Sequence, residues 1–175
     1  MEKNSDYLTG SFRDRSSAER AYNRLRERGY TDEEINIIMS DETRTKYFDK
    51  KEDERDESDF GNKAMEGAGT GSAIGGAVGA TAGIIAALGT SLIIPGLGIV
   101  IAGPIAAGLA GAGAGGITGG IVGALVGAGI PKDRAEKHEK DIKEGDIVMG
   151  VRPRNDEDAS YFENDWRQYQ GNVYR

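Results

Sequence analysis

Three stretches of the chain carry short, well-bounded apolar patterns. Residues 7–12, YLTGSF, read as a short strand. Ala18, Ala21, Tyr22 and Leu25 then recur at helical spacing. Ser16-Ser17-Ala18-Glu19 reads as a capping box opening that helix, and Gly29 as its end. Residues 35–39, INIIM, are a fully apolar run of strand length, so the first stretch predicts a βαβ unit. Near the other end, Pro131 suits a first helical position, and PKDRAEKHEKDIKEG predicts a helix closed by Gly145. The strand DIVMGV, 146–151, follows. Asn155 caps a last helix, NDEDASYFENDWRQYQ, whose face carries Phe162, Trp166 and Tyr169. An αβ piece alone cannot bury its apolar face, so strand 146–151 is expected to join the sheet of 7–12 and 35–39.

Between these halves the pattern changes completely. The 65 residues 67–131 hold no Asp, Glu, Lys, Arg or His, and they contain 21 of the 27 glycines. Glycine falls every fourth position at Gly67, Gly71, Gly75, Gly79 and Gly83, and again at Gly111, Gly115, Gly119, Gly123 and Gly127. On a helix a four-residue step advances about 400°, so each row forms a groove without side chains. In water each such glycine costs a helix about 1 kcal/mol against alanine. In a bilayer a helix is enforced, and small residues let two backbones approach closely. The pattern therefore predicts two helices, roughly 67–94 and 105–130, joined by the apolar turn SLIIPGLGIVIAGPI. At about 1.5 Å per residue each is long enough to span a bilayer core.

The expected fold class is α+β: a small ferredoxin-like sheet-and-helix domain split by an inserted two-helix glycine-zipper membrane hairpin. The divisions are 1–46 for the first half of the domain (βαβ), 47–63 for a charged linker, 64–131 for the hairpin and 132–175 for the second half (αβα). Ten of the eleven residues in DKKEDERDESD, 49–59, are charged, which reads as a solvated linker. Lys50, Lys51, Arg55 and Lys63 precede the hairpin, Lys132, Arg134, Lys137, Lys140 and Lys143 follow it, and the far turn has no basic residue. The positive-inside rule then predicts that both termini are cytoplasmic. The start, MEKNSDYLTG, has no apolar run, so no signal peptide is expected. Two observations pull the other way. No aromatic residue occurs between Gly61 and Ser160, so the usual interfacial belt is missing, and the turn has nothing charged to hold it in water.

Candidate chemistry is sparse. The chain has no cysteine, which excludes disulfides, thiolate metal sites and a Cys nucleophile. His138, the single histidine, falls near the Ala135–Ile142 face and has no second His or Cys with which to build a metal site or a nucleophile–base pair. Gly111, Gly113 and Gly116 fit a nucleotide-loop spacing, a match expected by accident among so many glycines. A proton-carrying rotor hairpin would need a carboxylate inside the apolar block, and there is none. Arg20, Arg24 and Arg28 step by four along the first helix. They read as a solvated face or as contacts to anionic lipid headgroups. The net charge of −7 argues against nucleic-acid binding. No catalytic residue, metal, cofactor or small-molecule substrate is expected. The expected partners are a lipid membrane and further copies of the chain.

SFRDRSSAERAYNRLRERGYTDEEINIIMSDE resembles the N-terminal domain of the bacterial heat-induced general stress protein family (YflT-like). GAGAGGITGGIVGALVGAGIPKDRAEKHEKDIKEGDIVMGV is similar to the glycine-zipper ending of longer members, including the GIP turn before the last helix and strand. The resemblance implies a stress-associated membrane protein, the membrane being the bacterial inner membrane, and carries over no catalytic residue. The resulting expectation is a non-enzymatic membrane protein with a structural role at the envelope, self-associating through its glycine zippers. The alternatives are a channel-like membrane oligomer, or a soluble higher-order assembly with the zippers as its core.

Overall fold

The computed structural model of the chain describes residues 7–48, 91–94, 96–107, 119–169 and 171–175. The elements, in chain order, are β1 (Leu8–Phe12), α1 (Arg15–Glu27), β2 (Ile35–Ser40), α2 (Asp41–Phe48), β3 (Leu92–Ile94), β4 (Ile99–Ala102), α3 (Gly120–Gly127), α4 (Lys132–Lys143), β5 (Ile147–Val151), α5 (Asp156–Gln168) and β6 (Asn172–Tyr174). The six strands form one antiparallel sheet in the order β3-β4-β2-β5-β1-β6. This is a mixed α+β domain. The strand at 147–151 lies between β1 and β2 and bonds to both, so the two halves of the chain share a sheet.

Alternation along the strands sorts the core into two faces. Leu8, Phe12, Ile35, Ile37, Met39, Val100, Ile147 and Met149 point to the side covered by α1 and α5, where Ala18, Tyr22, Leu25, Phe162 and Trp166 meet them. Ile38, Ile94, Ile99, Ile101 and Val148 point to the other side and pack against Ile121, Ala124 and Leu125 of α3 and Ala135 and Ile142 of α4. With helices on both faces, the central strands read as continuous apolar runs.

Helix ends follow local chemistry. Asp14 caps α1, its carboxylate accepting from the Ser17 N–H at 2.8 Å, so the cap lies two residues before the expected capping box. Asn155 caps α5, accepting from the Asp158 N–H at 2.7 Å. The C-termini of α1, α3 and α4 share one motif. Gly29, Gly129 and Gly145 take φ of +82°, +95° and +98°, and the N–H groups of Tyr30, Ile130 and Asp146 bond back to Leu25, Leu125 and Asp141. This Schellman geometry satisfies carbonyls that the helix end would otherwise strand.

The membrane hairpin is the main correction. SLIIPGLGIVIA was expected to end the first membrane helix at 94 and turn toward the second, but it supplies β3 and β4, a hairpin added to the sheet. β4 pairs with β2 from Ile37↔Ala102 to Ser40↔Ile99. The physical reason is that a fully apolar run is required equally by a strand covered on both faces and by a membrane segment. Among the described residues no helix is long and apolar enough to cross a membrane. Of the expected helix 105–130, the described parts are a helical turn at 104–107 and the eight-residue α3. The reading as an inner-membrane protein with transmembrane helices and two cytoplasmic termini, and the membrane function built on it, are overturned by these observations. The zipper 67–83, the linker 49–59 and the Gly111–Gly116 loop pattern lie outside the described residues.

Candidate functional site

Three places in the molecule gather the residues singled out from the sequence. The first is the contact between α4 and the first strand. Thr9 and Ser11 alternate with Leu8, Gly10 and Phe12, so they face α4 rather than the aromatic core. His138 and Asp141, one helical turn apart on α4, reach down to them. His138 is wholly buried, in the sheet–helix contact rather than at the domain edge. Its Nε2 is 2.8 Å from Thr9 Oγ1, and its Nδ1 is 3.7 Å from Asp141 Oδ2. Ser11 Oγ donates to that same carboxylate oxygen at 2.7 Å. The ring of Tyr174 on β6 stands edge-on to the imidazole, with centroids 5.4 Å apart.

These residue types could compose a nucleophile–base pair, but their order is wrong for one. Ser11 Oγ–H donates its hydrogen bond to Asp141 and not to His138, and the ring is closed off from solvent. The arrangement instead ties α4 and β6 to β1. Burial pushes the Asp141 carboxyl up, but the His138 ring and the Ser11 hydroxyl outweigh it and hold the group below the ordinary carboxylate value. Asp146 nearby is raised by its burial and by the charge of Asp141.

A pH-dependent prediction follows from Asp141. A depressed carboxyl contributes stability that is present above its unfolded value and lost as pH falls through the folded one. Asp141→Asn loses a charge-assisted hydrogen bond and is expected to cost about 1.5–3 kcal/mol near neutral pH. The gap between parent and variant narrows as pH falls below the ordinary carboxylate value of 3.8. Urea titrations at several pH values measure this. A gap that stays constant into acid would refute the ionic account.

The second place is the arginine row. Arg20, Arg24 and Arg28 all turn toward α5. The Arg20 guanidinium stacks 5.0 Å from the Tyr169 ring centroid. Arg24 bonds to Glu27 at 2.8 Å and approaches Asp165 at 3.7 Å. Arg28 bonds to Asp158 at 2.6 Å and lies over the Tyr161 ring at 3.9 Å. The other carboxylate oxygen of Asp158 accepts from the Tyr30 hydroxyl at 2.8 Å. The row therefore docks one helix on another.

The third place is α3, which carries the described part of the glycine rows. Gly119 is its N-cap, and a Cβ there would lie 2.8 Å from Gly123 Cα, so the next turn of the same chain already excludes a side chain. Gly123 and Gly127 differ: among the described residues, a Cβ on either would meet no atom within 4 Å. Val126 beside them is 42% exposed, and Ile93 on β3 is 50% exposed. These are the two exposed large apolar side chains among the described residues. Gly67, Gly71, Gly75, Gly79, Gly83, Gly111 and Gly115 lie outside the described residues.

Sequence reasoning missed the brace at Thr9, Ser11 and Asp141 because alternating polar residues in a short strand look like a solvent face, whereas β1 is buried throughout. It missed Ile93 because its run was assigned to the end of the helix 67–94. The signal was present: a short β-branched run bounded by Pro and Gly is strand-like.

Fold and site together define an α+β domain with a polar brace under one helix and an uncharged, partly exposed apolar side. No family model matches the chain, and neither a curated protein nor a solved structure matches it.

Proposed function

We propose that this chain is a non-enzymatic assembly protein: an α+β domain that carries an uncharged glycine-rich segment and self-associates through it. The observation that carries this reading is the open side of α3. At Gly123 and Gly127 no described atom needs the space that glycine leaves. Glycine there costs the helix about 1 kcal/mol against alanine. The space it leaves suits close approach by another backbone. The chemistry of an active site is not needed, since the buried His138–Asp141 group and the arginine row are both occupied in holding helices in place.

The strand order β6-β1-β5-β2, with α1 joining β1 to β2 and α5 joining β5 to β6, supports a ferredoxin-like reading of the domain. On that reading α2, β3, β4, α3 and α4 form an insertion between its second and third strands. The likeness of 11–42 to the heat-induced general stress family supplies the setting we propose for the assembly, a response to stress.

Two substitutions at one position test the reading. Gly123→Ala is expected to raise stability by about 0.5–1 kcal/mol while leaving the assembly intact. Gly123→Leu fills the space and is expected to lower the assembly mass in sedimentation velocity, with the circular dichroism spectrum unchanged. An assembly mass unaffected by leucine would remove the glycine face from any role in association.

A further inference from the structure

We infer that the partner at this open side is a second copy of the chain, joined by antiparallel pairing of β3 with β3 across a two-fold axis. The inference rests on the self-association reading and names its partner and its geometry.

Edge strands are usually guarded by charge or by a covering element. At one edge of this sheet, β6 is flanked by Arg175 and has Lys137 lying 4.8 Å over the Tyr174 ring. At the other edge, β3 is Leu92-Ile93-Ile94, and its one strand partner among the described residues is β4. Ile93 pairs with Val100 and so projects to the α1 face, yet half of it is exposed. Leu92 and Ile94 project to the α3 face.

Charge decides the occupant. Across a two-fold axis one surface patch meets its own copy and a residue on the axis meets itself, so like charges there oppose one another and are destabilising. A chain of net charge −7 therefore resists self-contact over most of its surface. The segments that build β3, β4 and α3 are the exception. Residues 91–94, 96–107 and 119–131 hold no charged side chain. With Ile93 on the axis, Ile93 faces Ile93 of the second copy and Leu92 faces Ile94, so an apolar strand meets its own complement.

The helix layer fits the same axis. α3 shares one buried cluster with Ile94, Ile99 and Ile101 of β3 and β4, while α4 is tied to β1 by His138 and Asp141. Joining two sheets at β3 thus brings the two α3 helices together on one face, with Val126, Gly123 and Gly127 on the open side. Both layers are needed. A stable interface buries about 1,200–2,000 Å² in total, more than a pair of three-residue strands supplies.

The test is a charge swap on the axis. Ile93→Lys and Ile93→Glu are each expected to sediment at about half the mass of the parent unit, because like charges then face each other. Mixed in equal amounts, the two variants are expected to restore the parent mass, since Lys then faces Glu. The inference is overturned if either variant alone keeps the parent mass, or if the mixture stays small. It is also overturned if Ile93→Lys lowers the thermal midpoint without changing mass, the result expected if residues 67–90 of the same chain cover the edge. Should Gly123→Leu reduce the mass while Ile93→Lys does not, the β3 pairing fails and self-association through the glycine face stands. A parent protein that is monomeric at every concentration ends both.

Discussion

Trp166→Ala is expected to destabilise the domain by about 3–5 kcal/mol, a large share of the roughly 5–15 kcal/mol that holds a typical domain together. Trp166 is fully buried on α5 and stands edge-on to Phe12 of β1, with ring centroids 5.6 Å apart. It also lies beside Phe162, at 6.3 Å. Its seat is Gly10, where a Cβ would lie 2.8 Å from the indole Cε3. A glycine in mid-strand weakens a strand by itself, and here it marks the close approach of a large ring. Alanine would leave a cavity bounded by a strand backbone that is paired on both sides and cannot collapse. Trp166→Phe serves as the comparison and is expected to cost less than about 1.5 kcal/mol. The indole N–H has no hydrogen-bond partner among the described residues, so phenylalanine leaves no polar atom newly stranded. Urea denaturation of the three proteins measures the difference. Equal losses for Ala and Phe would show that the ring's bulk is not what the site requires.

Gly103→Ala is the second large effect. Gly103 follows β4 with φ of +91°, a region where a side chain costs about 1–3 kcal/mol. The space is closed as well. A Cβ would sit 2.2 Å from the Ile35 carbonyl oxygen and 3.0 Å from Asn36 Cα. Those atoms belong to the backbone of β2, a central strand, so relief requires moving β4 off its neighbour. The crowding adds about 1–3 kcal/mol. The turn that follows is pinned at the same place, with the Ile105 N–H donating to Asn36 Oδ1 at 2.8 Å and Asn36 Nδ2 donating to the Gly150 carbonyl at 3.2 Å. Gly96→Ala separates the two contributions. Gly96 also has positive φ, +84°, but among the described residues a Cβ there meets nothing within 4 Å. Chemical denaturation should show Gly103→Ala costing clearly more than Gly96→Ala, and equal costs would dispose of the close-approach explanation.

The parts of the fold legible in the sequence were those set by local period and local chemistry. Ala18, Ala21, Tyr22 and Leu25 lie buried along α1 as their spacing predicts, and Phe162 and Trp166 lie buried along α5. Asn155 caps where expected, because a short polar side chain before a helical run has few other uses. The capping residue of α1 was misplaced because Asp14 and Ser16 compete for the same turn. Asp14 reaches both the N–H and the hydroxyl of Ser17. The helix α2 went unseen although Ser40 provides its start, accepting from the Thr43 N–H at 3.0 Å. Its apolar pattern is weak, since Thr43 is its one buried residue.

The sequence by itself determined where the chain is charged and where it is not, which stretches are helices with an apolar stripe, and that the two charged halves must share a sheet. Those properties depend on residues a few positions apart or on bulk solvation. The tertiary structure alone decided the fate of SLIIPGLGIVIA, since an apolar run requires an apolar surrounding without saying whether lipid or two layers of helix provide it. Here β4 finds that surrounding between β2 and β3, under α3. The structure alone also decided the role of His138. Its Thr9, Asp141 and Tyr174 neighbours come from three elements, two of them far away in sequence. Spacing along a chain reports faces of one element. Contacts between faces appear only once the sheet has fixed which elements are neighbours.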